Sequence, residues 1–254
     1  MKLRKGLYYL FYIPSLFLAS VFVITLGQLM PKRLCLSIAT IWNHFASRTL
    51  LRITTGIKVE VIGKENIPKT NFVAVSNHQS EWETLYFCFL LNPIVSILKK
   101  ELLRIPFFGW ALWGSGHIGI DRGNARRSMK TIEEKGLNRL KKGLNVLVFP
   151  EGTRVPYGQY RRFTRTGIKL AIDAGVPLLP IAHTAHNCWS PAGKFTAGTI
   201  QVFIGEPIDT AGKDAKELTN QAEHWIRETA GLATEKSVLA SSIQVSGHLR
   251  DRAL

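Results

Sequence analysis

Asn145-Val146-Leu147-Val148-Phe149-Pro150-Glu151-Gly152-Thr153-Arg154 is the stretch on which the reading of the chain turns. Its first half, Asn145–Phe149, is an apolar run of the kind that forms a buried strand, and proline and glycine then break it into a charged turn. Gly152 allows a tight turn or a close approach to a ligand. Thr153 offers a hydroxyl and an amide, and Arg154 a planar fork suited to phosphate. Taken alone, the segment reads as a β-turn beside a surface arginine. Its sequel decides more: Thr166–Asp173 has the pattern of a helix closed by Gly175, and Pro177–Ala182 is again an apolar strand.

Outward from this strand–turn–helix–strand unit the pattern repeats without any sequence repeat. Strands are expected at Ile57–Ile62, Phe72–Val75, Ile94–Leu98, His117–Ile120 and Thr199–Ile204. Helices are expected at Ser80–Leu91, Lys99–Leu103, Ala125–Lys141 and Lys213–Leu232. Such alternation specifies an α/β fold, a mixed and largely parallel sheet flanked by helices. The domain so defined is 56–234, and the polar residues 235–254 read as a flexible tail.

Residues 1–55 have a different character. From Gly6 to Pro31 there are 26 residues without a charge, preceded by Lys2, Arg4 and Lys5 and followed by Lys32 and Arg33. A helix of that length reaches across a hydrocarbon core of about 30 Å. It is too long for the apolar region of a secretory signal and lacks a convincing cleavage site. Leu34–Arg52 is amphipathic, with Leu34, Ile38, Ile41, Trp42 and Phe45 near a 3.6-residue repeat. Two arrangements fit: one membrane span, or a helical hairpin dipping into a single leaflet. Basic residues at both ends leave the orientation undetermined.

The chain has 254 residues, 33 Lys+Arg against 18 Asp+Glu, and 46% hydrophobic residues. So apolar a composition excludes disorder as the main state. Three scattered cysteines give no disulfide framework and suit a reducing compartment. The net charge of +15 admits nucleic acid, anionic lipid or phosphorylated substrates as partners.

Chemistry concentrates in four segments at strand ends or loops. In Asn77-His78-Gln79-Ser80-Glu81-Trp82-Glu83, a histidine at a strand-to-helix junction can take a proton at neutral pH. Glu83 either fixes its tautomer or caps Ser80, since Ser-x-x-Glu is also a capping box. Five residues of continuous helix would turn the two groups apart by about 140°, so they meet only if His78 lies before the helix. The remaining segments are Gly119-Ile120-Asp121-Arg122, Phe149–Arg154, and the proline-bearing strand Val176–Ala182.

In this order the four resemble the blocks of the glycerolipid acyltransferase superfamily, specifically the 1-acyl-sn-glycerol-3-phosphate acyltransferases: NHxxxxD, xIDR, FPEGTR and VPxxPxx. Arg104–Trp110 and Gly167 are similar to bacterial members. The likeness spans roughly residues 59–207. It departs at Glu83, where the family carries aspartate; the extra methylene keeps the charge and extends its reach by about 1.5 Å.

The resemblance implies a reaction. His78, oriented by Glu83, would be the general base on the sn-2 hydroxyl of lysophosphatidic acid. Arg122, Glu151, Gly152, Thr153 and Arg154 would hold the phosphate-bearing acceptor. Acyl-CoA or acyl-carrier protein would donate the acyl chain, with phosphatidic acid as product. No cofactor or metal is implied, and His183-x-x-His186 lacks further ligands. Other lysolipids or glycerol-3-phosphate are alternative acceptors. Anionic membrane lipids are expected partners, and the implied location is a bacterial inner membrane with the catalytic domain on the cytoplasmic side. Phe107, Phe108, Trp110 and Trp113 are core or line an acyl groove. A nucleic-acid-binding protein is disfavoured, because no RNP-like, KH-like or zinc-finger pattern occurs. The charge agrees: residues 121–169 hold thirteen Lys+Arg and four Asp+Glu around the proposed phosphate site.

Overall fold

The structure, a computed structural model, describes residues 2–189 and 195–232. The expected flexible tail, 235–254, lies outside the described residues. Seven strands form one sheet: β1 (Ile57–Ile62), β2 (Val73–Ser76), β3 (Ile94–Lys99), β4 (Ile118–Ile120), β5 (Asn145–Val148), β6 (Leu178–His183) and β7 (Gly198–Ile204). Their spatial order is β1-β7-β6-β2-β5-β3-β4, and every pair is parallel except β6 with β7. The mixed, largely parallel sheet is therefore the one the alternation specified.

Strand periodicity divides the core into two layers. Val73, Val75, Val146 and Val148 belong to one apolar cluster, while Ala74 and Leu147 belong to the other. The first cluster includes residues of α6 (Ala125–Lys141), α7 (Thr166–Ala174) and α8 (Ala215–Thr229), such as Ile132, Ile168 and Ile226. The second is closed mainly by the amino-terminal helices and by α4 (Trp82–Leu90), through Tyr8, Leu51, Trp82 and Phe87. Each such side chain taken fully out of water contributes about 1.5–3 kcal/mol before entropy is set against it. Gly167 is needed for contact rather than for its backbone angle: a Cβ there would lie 2.8 Å from a Val148 methyl, so glycine lets α7 rest on β5.

The helix ends follow local chemistry. The Asn124 side chain accepts from the Arg127 amide at 2.9 Å to start α6, and Asp214 accepts from Lys216 and Glu217 to start α8. The expected helix at Ser80 begins two residues later, at Trp82. Ser80 and Gln79 are occupied instead in the loop that Glu83 organises. The aromatic stretch after Pro106 is a short helix, α5 (Phe108–Gly114), with Trp110 and Trp113 exposed rather than in the core.

The amino terminus is a helical hairpin. α1 (Lys2–Ile24) contains Pro14 and leads through a short 3-10 turn, Leu26–Leu29, to α2 (Lys32–His44). α2 continues through a π-helical segment, Phe45–Leu50, into α3 (Leu51–Thr55), so the expected Leu34–Arg52 segment is one uninterrupted helical run. α1 touches the α/β domain from Tyr8 to Val23. Tyr8 packs edge-on to Trp189 and Phe195 at 5.6 and 5.7 Å, Phe17 meets Phe107 at 4.8 Å, and Val23 clusters with Ala111.

Candidate active site

The parallel sheet delivers three of the four segments to one edge. His78 follows β2, Arg122 follows β4 and Glu151–Arg154 follow β5, all at the carboxyl ends of parallel strands, where open α/β sheets bind ligands. The fourth segment forms most of β6, the neighbour of β2.

His78 lies before α4, and the chain folds it back over the first turn. Its Nδ1 is 2.8 Å from Glu83 Oε1. The same oxygen accepts from the Gln79 and Ser80 amides at 2.6 and 2.7 Å, and Glu83 Oε2 accepts from the Ser80 hydroxyl. The two readings of Glu83 are therefore both true of the geometry: one carboxylate pairs with the histidine and caps the turn. Burial works to raise the fully enclosed Glu83 carboxyl, but the hydrogen bond and charge of His78 and the Ser80 hydroxyl bring it down to about 2. An ionised Glu83 places the proton on His78 Nδ1 and leaves Nε2 as the free base.

Neighbours fix the ring and its loop. Phe149 stacks on His78 at 4.2 Å. The His78 amide donates to Glu151 Oε2 at 2.9 Å, and its carbonyl accepts from the Val155 amide at 2.9 Å. Asn77 is tied to β6: its side-chain amide donates to the His183 carbonyl at 3.0 Å and its Oδ1 accepts from the His183 amide at 3.1 Å. His183 Nε2 lies 2.8 Å from the Asn77 carbonyl and its Nδ1 accepts from the Ala185 amide, which defines a neutral ring; burial lowers its pKa. His186 binds Gln79 separately, at 3.1 Å, so each histidine of the pair serves its own contact in the loop. Among the described residues no group of three or more His, Cys, Asp or Glu is arranged to hold a metal ion. The structural use of His183 was hidden in the sequence; its signal is the placement of β6 beside β2.

The substrate-binding candidates separate. Arg122, Thr153 and Arg154 join His78 and Phe149 on the wall of one large cavity. Arg154 is exposed and pairs with Glu81 at 2.8 Å. Gly152 sits at φ 71°, the left-handed region that glycine adopts without penalty, and its amide closes the turn onto the Phe149 carbonyl. Glu151 is only 2% exposed and turns inward, away from the cavity wall. The cavity, about 910 Å³, runs from this polar mouth along β3 and under α1, α2 and α5, lined by Leu98, Ile94, Leu36, Val23 and Ala111 among others. Sequence reasoning found the mouth and offered an acyl groove at Phe107, Phe108, Trp110 and Trp113, of which Phe108 lines the chamber; the remaining walls, from segments distant in the chain, it did not find. Cys88 also lines it; burial pushes its thiol up to about 11, so no thiolate nucleophile forms there at neutral pH.

Comparison with known proteins agrees with this geometry. The family model described as Acyltransferase matches residues 58–184, the segment that holds all four blocks. A 1-acyl-sn-glycerol-3-phosphate acyltransferase from Pseudomonas aeruginosa is 42% identical over 233 residues, covering 89% of this chain and 90% of that one. This chain belongs to the 1-acyl-sn-glycerol-3-phosphate acyltransferase family. The human 1-acyl-sn-glycerol-3-phosphate acyltransferase alpha is 35% identical over 176 residues, 66% of this chain and 62% of the human protein. The crystal structure of the 1-acyl-sn-glycerophosphate (LPA) acyltransferase from Thermotoga maritima superposes with a TM-score of 0.71 at 25% identity, covering 90% of this chain and 96% of that chain. The protein is thus an acyltransferase.

Proposed function

We propose that this acyltransferase moves an acyl chain from an acyl thioester to the sn-2 hydroxyl of 1-acyl-sn-glycerol-3-phosphate, producing phosphatidic acid for phospholipid biosynthesis. The observation that carries the reading is the convergence of a carboxylate-held histidine, two arginines and a long apolar chamber in one cavity. The relatives' names supply the acceptor class.

His78 Nε2 takes the hydroxyl proton while the oxygen attacks the thioester carbonyl carbon. Collapse of the tetrahedral adduct breaks the carbon–sulfur bond, and the thiolate leaves with the electron pair and regains a proton from His78. Glu83 stabilises the transient imidazolium, as an ionised carboxylate must. Arg122 and Arg154, with Thr153 and the Gly152 turn, hold the acceptor phosphate through charge-assisted hydrogen bonds. The chamber takes an acyl chain along about 16 Å of β3, from Lys99 to Ile94 at roughly 3.3 Å per residue. Acyl-CoA and acyl-carrier protein both fit as donors.

The same reading places the enzyme on a membrane surface. α1 packs on the domain from Tyr8 to Val23, while Leu3, Leu10, Phe11 and Leu18 on its outer side remain 52–85% exposed. Trp110, Trp113 and Ile41 extend that apolar surface. This supports a hairpin set in one leaflet over a free-standing span, with the +15 charge meeting anionic lipid and phosphate. The location we infer is a bacterial inner membrane, with the catalytic domain on the cytoplasmic side.

The deciding assay gives purified protein a panel of lysolipids and glycerol-3-phosphate, each with acyl-CoA and acyl-carrier protein. Conversion of lysophosphatidic acid ahead of the other acceptors is expected. Preference for a different acceptor would overturn the assignment while leaving the acyl-transfer chemistry intact.

A further inference from the structure

Glu151 stands in the block that the family resemblance links to the acceptor, yet its surroundings are those of a support. It is 2% exposed, and the cavity wall includes its neighbours Phe149, Thr153 and Arg154 but not Glu151 itself. Its Oε2 accepts the backbone N–H of His78 at 2.9 Å. The loop that carries it also donates the Val155 amide to the His78 carbonyl at 2.9 Å, and Phe149 lies flat against the His78 ring. That loop is itself anchored, with the Thr164 amide on the Pro150 carbonyl at 2.9 Å. Both backbone polar groups of the catalytic histidine and one face of its ring are thus held by the segment Phe149–Val155.

We propose that Glu151 is a positioning residue for His78, setting the backbone from which the imidazole is aimed, and that it makes no contact with the acceptor. The inference rests on His78 being the general base. A buried N–H left without an acceptor is costly, so losing the Glu151 oxygen would pull the His78 backbone toward another partner. What the N–H requires is an acceptor oxygen, not a charge. Burial, ahead of the nearby Glu83 and Glu223 charges, raises the Glu151 carboxyl to about 8 against the pull of the His78 amide and Arg227. Near neutral pH it is therefore largely the protonated acid, whose carbonyl oxygen a glutamine reproduces.

The test compares Glu151→Gln, which keeps the acceptor, with Glu151→Met, which removes it at similar length. Steady-state kinetics are measured on the full chain in detergent with lysophosphatidic acid, and thermal unfolding monitors the fold. Glu151→Gln is expected to hold kcat and the acceptor KM within about 3-fold of wild type. Glu151→Met should lose about 100-fold in kcat with KM unchanged, the effect of a reacting group displaced by roughly an ångström. A tenfold rise in acceptor KM in either variant, or a kcat in Glu151→Gln as low as in Glu151→Met, would overturn the proposal. If Glu151→Met does not fold, Glu151→Gln alone decides, because a substrate contact or a required charge predicts its failure. Hydrogen exchange of the His78 amide supplies a readout without turnover: its protection should persist in Glu151→Gln and be lost in Glu151→Met. A wild type inactive on every acceptor would count against the proposed function, whereas an unprotected His78 amide in Glu151→Gln counts against the positioning role.

Discussion

At the residue scale, the proposed catalytic unit is a histidine held from three sides by groups with separate tasks. Glu83 carries two of them, since the oxygen that pairs with His78 Nδ1 also gathers the Gln79 and Ser80 amides. Glu83→Gln keeps an oxygen for the amides but loses the charge that stabilises the imidazolium. We expect it to fold and to lose about 100-fold or more in kcat, by analogy with the carboxylate-to-amide change in a catalytic triad. Single-turnover kinetics at saturating acceptor check this; activity near wild type would reduce Glu83 to a cap. His78→Ala should abolish acyl transfer while vesicle binding persists, which separates the enzyme from a purely structural membrane protein. The lowered pKa of Glu83 also has a sign for stability. A carboxyl at about 2 in the fold and near 4.5 in the unfolded chain stabilises the protein above pH 4.5, and that contribution is lost as pH falls toward 2. Urea unfolding from pH 6 to pH 3 should show this acid slope in the wild type and a shallower one in Glu83→Gln.

At the element scale, α8 has a role that its distance from His78 conceals. Its buried Glu223–Arg227 pair, 2.9 Å apart, reaches the loop between the Gly152 turn and α7. Arg227 donates to the Arg161 carbonyl at 2.6 Å and stacks on Tyr160 at 4.4 Å, while Glu223 accepts from the Phe163 amide at 3.3 Å. The helix therefore holds the far end of the loop whose near end holds His78. Arg227→Met alone strands a buried carboxylate, and a loss of about 3–5 kcal/mol is expected, measurable by chemical unfolding. Adding Glu223→Gln should recover part of it; no recovery would show that the pair is not coupled. The sequence predicts this helix over Lys213–Leu232; in the structure it runs Ala215–Thr229, with Asp214 as its cap. Its grip on the loop was not legible there, because a side-chain-to-carbonyl contact 66 residues away leaves no periodicity to read.

At the scale of the whole molecule, the two faces of the sheet are used differently: one carries the helices α6–α8, the other the hairpin and its exposed apolar surface. Replacing Phe11 and Leu18 by aspartate should abolish co-sedimentation with vesicles of mixed neutral and anionic lipid, and raising the salt concentration should weaken wild-type binding only in part, since salt screens charge but not apolar contact. Complete release of the wild type by salt would favour charge alone as the anchor. The sequence by itself determined the alternation of strands and helices, the apolar amino terminus and the four blocks, because each is written in local periodicity or in adjacent residue types. It left open whether the amino terminus is one span or a hairpin dipping into a single leaflet, and whether Glu83 caps or pairs. Tertiary structure decided the packing of α1 along the domain, the shared carboxylate of Glu83, the inward turn of Glu151 and the chamber walled by α1, α2, α4, β3 and α5. The physical reason is common to all four. Each depends on where segments distant in the chain, or side chains before and after a turn, come to rest against one another, and that placement is fixed only when burial of both faces of the sheet selects a single packing.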